Sequence, residues 1–381
     1  MQYGGTSRTR EMNEHMTNIS LIMKVTSACT LRCNYCQYLS HLTGDNSNLV
    51  MSRDTMHKSI LQLLSLPSKR ITFIWHGGEP LLVGMNFYED VISFQKQVQR
   101  EGQKIRNNIQ TNGTLLSQEW IGFLRENQFN IGISLDGPSK IHNYHRLYPS
   151  GNGSFNRVMK SANSLMANEL AFGLLAVVTK EHACSAKEIY DFFVGHNFKT
   201  FDFLPCIEIN KDEGKTTGSS ITAFEFADFM IQVFDLWMDD DDPKIHIRYF
   251  DNILNGLLGG KPTLCKFAGT CSSFLTIDCN GDIYPCDSFV GYYELRFGNI
   301  LTDDLQTVIE SDKYKDFAGE TKTIHSECSE CEWYQVCHGG CSYYRYMTRQ
   351  DFSDENYFCK ANKTIFRHIE ERVKDIVHRA V

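Results

Sequence analysis

Between Leu21 and about Ile207, short apolar runs of strand length alternate with longer stretches whose apolar residues recur every three to four positions. Short apolar runs read as strands, and the longer repeat reads as amphipathic helix. The pattern predicts strands near 21–26, 71–76, 106–111, 130–136, 171–179 and 200–207, with helices near 53–65, 85–101, 117–128, 155–169 and 184–197. Six such units predict an α/β fold on a parallel sheet, because parallel neighbours need a long crossover. A partial (β/α)6 barrel and an open flavodoxin-like sheet give the same alternation. In either, reactive groups gather at the C-terminal ends of the strands.

Residues 208–220 (EINKDEGKTTGSS) break the alternation; polar and rich in Gly, Ser and Lys, they predict a linker or mobile loop. An amphipathic stretch over 222–240 follows and ends in Asp239–Asp242, which reads as a solvated helix end. Phe274–Cys279, Asn280-Gly281 and Ile283-Tyr284-Pro285 read as a hairpin around an Asn-Gly turn, and a last helix is expected from about Lys360 to Arg379. These shifts divide the chain into a flexible N-terminal segment (1–18), a strand–helix region (19–220), a helical bridge (221–264), a cysteine-rich domain (265–365) and a C-terminal helix (366–381).

At 381 residues the chain can bury a sizeable core, and 42% apolar with 22% charged residues is ordinary globular composition. A net charge of −8 and a pI of about 5.9 give no broad footprint for nucleic acid. The polar N-terminal segment lacks the apolar core of a secretory signal, and no apolar run is long enough to span a membrane. The expectation is a cytoplasmic protein with no membrane or nucleic-acid partner. In a reducing compartment fourteen cysteines are better explained by metal or redox chemistry than by disulfides. They cluster: three lie at 29–36, none in the next 147 positions, and nine between Cys265 and Cys359.

Cys29-Thr-Leu-Arg-Cys33-Asn-Tyr-Cys36 follows the first predicted strand. Three thiolates on one short loop can hold three corners of a four-iron cluster and leave one iron open to a further ligand. A partial zinc site or buried thiols give the same spacing. The second strand runs into His76-Gly77-Gly78-Glu79-Pro80, where two glycines let backbone approach a ligand and a carboxylate can accept hydrogen bonds from an ammonium group. The third strand ends at Gln110-Thr-Asn-Gly113, the fourth at Ser134-Leu-Asp136-Gly-Pro138. Near the C-terminus, Cys265, Cys271 and Cys286 are followed by Cys328-x2-Cys331-x5-Cys337-x3-Cys341 and by Cys359. Eight thiols suffice for two fully ligated four-iron clusters, or for paired zinc sites. Cys184, Cys206 and Cys279 default to buried thiols.

The cysteine loop, with Tyr35 before its last cysteine, resembles the CxxxCxxC signature of the radical SAM superfamily, and Gly77-Gly78-Glu79-Pro80 resembles that family's motif for the amino end of S-adenosylmethionine. The order and spacing of the later cysteines resemble a SPASM domain. The chain as a whole resembles radical SAM/SPASM peptide and protein maturases: the anaerobic sulfatase-maturating enzymes, and the maturases that form cyclophanes in ribosomally made peptides.

That resemblance implies a partial (β/α)6 TIM-like barrel with a C-terminal SPASM domain, S-adenosylmethionine, and three [4Fe-4S] clusters. It implies that Cys29, Cys33 and Cys36 hold the cluster that binds the cofactor, and that Tyr35, Gly77, Gly78, Glu79, Ser134 and Arg157 contact the cofactor. It further implies that Cys265, Cys271, Cys286 and Cys341 hold one auxiliary cluster and Cys328, Cys331, Cys337 and Cys359 the other, both for electron transfer. Asp287 matches a general base, and Tyr38 a position near the substrate; His76 stands where sulfatase-maturating enzymes carry Gln.

The run from Asp287 to Ile300 looks closer to the peptide maturases. The leading expectation is therefore hydrogen abstraction from a side chain of a ribosomally synthesised precursor peptide and an intrapeptide crosslink, such as a cyclophane at a β-carbon. The alternative is oxidation of Cys or Ser to formylglycine in a sulfatase. An external one-electron reductant of flavodoxin or ferredoxin type is the second implied partner, and no leader-binding domain is expected before the barrel. A zinc or simple electron-transfer protein is the reading from another class.

Overall fold

The computed structural model describes residues 18–36, 49–210 and 215–380; Tyr38 and residues 1–17 of the expected flexible segment lie outside them. Strands β1 (Asn18–Lys24), β2 (Arg70–His76), β3 (Lys104–Thr111), β4 (Asn130–Ser134), β5 (Phe172–Val178) and β6 (Thr200–Pro205) are parallel neighbours in chain order. The helices Arg53–Ser65, Met85–Val98, Gln118–Glu126, Phe155–Ala167 and Ala186–Gly195 cross between them, close to their expected positions. Ser52 and Ser117 start two of these helices by accepting from Thr55 N and Trp120 N.

Every second strand residue is fully buried, as with Leu21 and Met23, Ile71, Phe73 and Trp75, or Leu174, Ala176 and Val178. The intervening residues are only partly covered, because the strand period of two sends them to the other face of the sheet. That second face carries the cleft described below.

The polar segment expected as a linker forms a separate antiparallel hairpin, β7 (Glu208–Asn210) with β8 (Lys215–Thr217). Its polar groups bond each other: Glu208 N donates to Ser220 Oγ over 2.8 Å and Ser219 N to Glu208 Oε1 over 2.9 Å. The bridge folds as helix Ala223–Asp240, strand β9 (His246–Ile247) beside β6, and helix Arg248–Leu257. Thr222 and Glu225 cap the first of these helices reciprocally.

The cysteine-rich region joins the same sheet. β10 (Phe274–Ile277) runs parallel to β1, with Ser20 opposite Phe274 and Met23 opposite Ile277; β11 (Asp282–Tyr284) and β12 (Gly298–Asn299) continue outward antiparallel. Among the described residues the order is β12-β11-β10-β1-β2-β3-β4-β5-β6-β9, a largely parallel α/β sheet. The predicted turn at Asn280-Gly281 joins β10 to β11, with Gly281 at φ 91°.

The last helix runs unbroken from Cys359 to Ala380 and docks on Ala223–Asp240. His368 meets Asp235 over 2.7 Å, and Arg372 pairs with Asp239. The acidic run is thus ion-paired as well as solvated, since Asp242 also holds Lys199 over 3.0 Å. Among the described residues no helix is long and apolar enough to cross a membrane.

Candidate active site and cluster cavities

The cysteine loop leaves β1 and is fastened on two sides. Gly78 N donates to Thr26 O over 2.7 Å and Glu79 N to Ala28 O over 2.8 Å. On the other side Arg32 N donates to Leu147 O over 2.7 Å and Asn34 N to His145 O over 3.2 Å. A Cβ on Gly77 would lie 2.4 Å from Thr26 O, and one on Gly78 2.1 Å from Ala28 O. The close approach these glycines permit is therefore first of all to the backbone that leads into Cys29. Gly77 also needs its φ of 137°.

Glu79 departs from expectation. It is wholly buried and does not line the cleft: Leu81 N, Thr111 Oγ1 and Asn112 N donate to its carboxylate at 3.0, 2.7 and 2.8 Å. Burial outweighs these bonds and raises its pKa to about 7. The side chain braces the β2 and β3 loops against each other, and the polar surface that this motif offers the cleft is glycine backbone. Asn112, held by that brace, donates from Nδ2 to Thr30 Oγ1 over 3.0 Å and to Cys29 Sγ over 3.5 Å.

Tyr35 reaches away from the thiols and donates its hydroxyl to Asp136 Oδ2 over 2.6 Å. Asp136 also takes both arms of Arg146, at 2.8 and 3.0 Å, and the N–H of Val177 at 2.9 Å. Although burial opposes it, the Arg146 guanidinium holds the Asp136 carboxyl below its usual range. This buried pair ties the cysteine loop to the ends of β4 and β5. Sequence reading named Asp136 only as a strand end and missed Arg146, because a buried ion pair leaves no periodic signal.

A cleft of about 340 Å³ opens at the C-terminal ends of the strands. Cys29, Cys33, Cys36 and Tyr35 form its floor; His76, Gly77, Gly78, Gln110 and Ser134 come from β2, β3 and β4; Leu175, Val177 and Leu204 from β5 and β6. Ser288, Tyr343 and Tyr344 from the cysteine-rich region close the other side. That volume lies within the roughly 300–1,000 Å³ typical of small-molecule sites. Burial raises Cys29 to about 11 and Cys33 to about 12, so these thiols would ionise on binding iron.

The remaining candidates divide. Ser134 lines the cleft and accepts from Gln110 Nε2 over 3.1 Å. His76 lines it too, and burial lowers its pKa to about 4, leaving a neutral imidazole. Arg157 is not brought to the cleft wall; its Nε and one Nη donate to Thr114 O and Leu116 O at 2.7 and 3.0 Å, fixing the loop after β3. Asp287 is half-buried next to the cleft residue Ser288; burial raises its pKa, and Lys24 at the end of β1 opposes the rise. Of the unassigned thiols, Cys279 and Cys206 are buried, Cys206 lining the cleft, whereas Cys184 is exposed against expectation.

The eight later cysteines fall into two groups. Burial and then Cys341, Cys271 and Cys265 raise the thiol of Cys286 well above its ordinary value. Cys337 is pushed to about 12 by burial and then by Cys359, Cys328 and Cys331. The second four line one cavity. Two donors in its wall, Trp333 Nε1 and Arg345 Nε, are buried without a protein acceptor among the described residues. Among the described residues no three ligating side chains converge on a single-ion site. A four-iron cluster, which spreads its thiolates around a sulfide-rich core, suits four separated thiols and two orphaned N–H groups.

The radical SAM superfamily model matches residues 23–193, and an iron–sulfur cluster-binding domain model, SPASM, matches residues 265–332. A cysteine-type anaerobic sulfatase-maturating enzyme of Clostridium perfringens is 32% identical over 370 residues, covering 95% of this chain and 99% of that one. A serine-type anaerobic sulfatase-maturating enzyme of Bacteroides thetaiotaomicron is 32% identical over 368 residues, covering 92% of this chain and 88% of that one. Among solved structures, native anSMEcpe with bound AdoMet and Cp18Cys peptide superposes with a TM-score of 0.86 at 30% identity, covering 95% of this chain and 99% of that one.

Proposed function

Because the chain belongs to the radical SAM enzymes with a SPASM domain, the family of the anaerobic sulfatase-maturating enzymes, we propose that it oxidises a cysteine or serine side chain of a sulfatase to formylglycine. The observation that carries this reading is the likeness to both cysteine-type and serine-type enzymes along nearly the whole chain. The intrapeptide crosslink expected first, from the run after Cys286, finds no support in these relatives, and the formylglycine alternative fits them better.

Cys29, Cys33 and Cys36, which line the cleft, would hold a four-iron cluster. When bound there, S-adenosylmethionine supplies a 5′-deoxyadenosyl radical able to take a hydrogen atom from an unactivated C–H bond. The Gly77-Gly78 backbone would hold the cofactor's ammonium, and Ser134 its carboxylate. Arg157 and Glu79 keep the surrounding loops in place from behind. His76, uncharged, and the apolar wall of Leu175, Val177 and Leu204 exclude water from the reacting carbon. A peptide side chain enters between that wall and Tyr343 and Tyr344. Asp287 takes the proton from its thiol or hydroxyl as the carbon is oxidised, giving the aldehyde directly from serine, or from cysteine a thioaldehyde that water then hydrolyses with release of hydrogen sulfide. The two later cysteine sets would hold clusters able to accept the surplus electron, and a flavodoxin- or ferredoxin-type protein would supply the electron that starts the cycle.

Anaerobically reconstituted enzyme with dithionite and S-adenosylmethionine should convert a sulfatase peptide to an aldehyde that hydrazine probes capture. Loss of two hydrogens with no aldehyde would restore the crosslink, and absence of 5′-deoxyadenosine would refute the reading altogether.

A further inference from the structure

Resting on the reading that Cys328, Cys331, Cys337 and Cys359 hold a cluster, we infer that Trp333 and Arg345 are its N–H donors and raise its reduction potential. Neither residue belongs to the ligand set or to the cleft where S-adenosylmethionine would bind.

Arg345 is 2% exposed, the side chain of a helix residue drawn wholly inside the domain. Its Nη atoms are engaged: Nη1 donates to Phe352 O over 2.7 Å and to Thr323 O, and Nη2 to Thr321 O and Ser342 Oγ at 2.6 and 2.9 Å. These four acceptors fix the guanidinium plane and leave Nε as the one donor of the group without a partner among the described residues. Trp333 is 5% exposed, and its indole N–H is likewise unpaired. Both line the cavity of the four thiols. Burying two unsatisfied donors costs about 1–3 kcal/mol each unless an acceptor arrives, and the sulfurs of a cluster held by the four thiols would be such acceptors.

The charge of Arg345 acts in the same direction. A four-iron core with four thiolates is anionic and gains another negative charge on reduction, so a fixed cation and N–H···S bonds favour the reduced form. Burial lowers the pKa of Arg345, and the groups that oppose this are Cys271, Cys341, Cys328 and Cys337, so its charge is felt by both sets. Of the charged residues that line the cavity, Glu327, Asp354, Glu355 and Lys363 are exposed or half-buried, and Arg345 alone is buried.

The test is a reductive titration followed by electron paramagnetic resonance on the reconstituted full-length protein and on W333F, R345K and R345Q. W333F keeps the ring packing and removes one donor, and should move one auxiliary couple to lower potential. R345Q should lower it further, R345K less than R345Q, and the couple of the cysteine loop should not move. Unshifted auxiliary couples in iron-replete W333F and R345Q would overturn the inference. Should R345Q lose the cluster, the W333F couple decides. A wild-type protein with about four irons rather than about twelve would instead refute the two-cluster reading itself.

Discussion

The hydroxyl of Tyr35 donates to Asp136 over 2.6 Å, which fastens the loop of three cysteines to a carboxylate already held by both arms of Arg146. Tyr35→Phe removes one bond to a charged acceptor, worth about 1.5–3 kcal/mol, and leaves the ion pair intact. Urea denaturation should show a loss of that size with the cluster retained. Arg146→Met strands Asp136 in the interior and should cost more, about 3–5 kcal/mol. Equal losses in the two variants would mean that the pair and the tether are not layered in this way.

Gly78→Ala tests the other fastening. Its new methyl would sit 2.1 Å from the carbonyl of Ala28, which is backbone and cannot swing aside. The loop must shift, and Cys29 with it. The expected result is a protein that folds but binds about four fewer irons and makes no 5′-deoxyadenosine. Full iron content and wild-type cleavage would show that the contact is yielding.

The six strand–helix units were legible because each strand buries alternate residues while each crossover helix keeps one apolar face, and both periods survive in the residue order. The pairing of β10 with β1 was not, since Ser20 and Phe274 meet across some 250 intervening residues and no local pattern encodes that neighbour. The cysteines were legible through their spacing; their division into two sets was implied by the resemblance, and Cys328, Cys331, Cys337 and Cys359 line one cavity. Glu79 and Arg157 were read as ligand contacts from their motif positions. Only coordinates show that protein donors and acceptors engage both side chains. Arg146, Trp333 and Arg345 had no motif to announce them, because a buried polar group is defined by partners distant in the chain.

His142 gives a pH signature away from the thiols. Its Nδ1 accepts from Asp136 N over 3.4 Å, and Nε2 bonds Ser154 Oγ over 2.9 Å, the arrangement of a neutral ring. Burial lowers its pKa from 6.5 to about 3. The folded state therefore binds fewer protons than the unfolded state below pH 6.5. The stabilisation is complete above that value and is lost as pH falls toward 3, by up to about 1.4 kcal/mol per unit. His142→Gln should be less stable than wild type at pH 8, with the gap narrowing below pH 6.5. A gap independent of pH would mean that the ring is charged in the fold.

Asp287 and Lys24 bear on the chemistry itself. Lys24 is 6% exposed at the end of β1, lies 3.9 Å from Asp278, and counters the rise that burial imposes on Asp287. If Asp287 takes the substrate proton, Asp287→Asn should lower peptide oxidation by about 10²–10⁴-fold while S-adenosylmethionine cleavage continues, since a general base is needed only after the hydrogen atom has left. Lys24→Met should act in the same direction and more weakly, by making the carboxylate harder to ionise. The measurement is the ratio of aldehyde to 5′-deoxyadenosine in single-turnover reactions. A fall in both products together would place Asp287 in cofactor or cluster binding; a fall in the ratio alone assigns it to the proton.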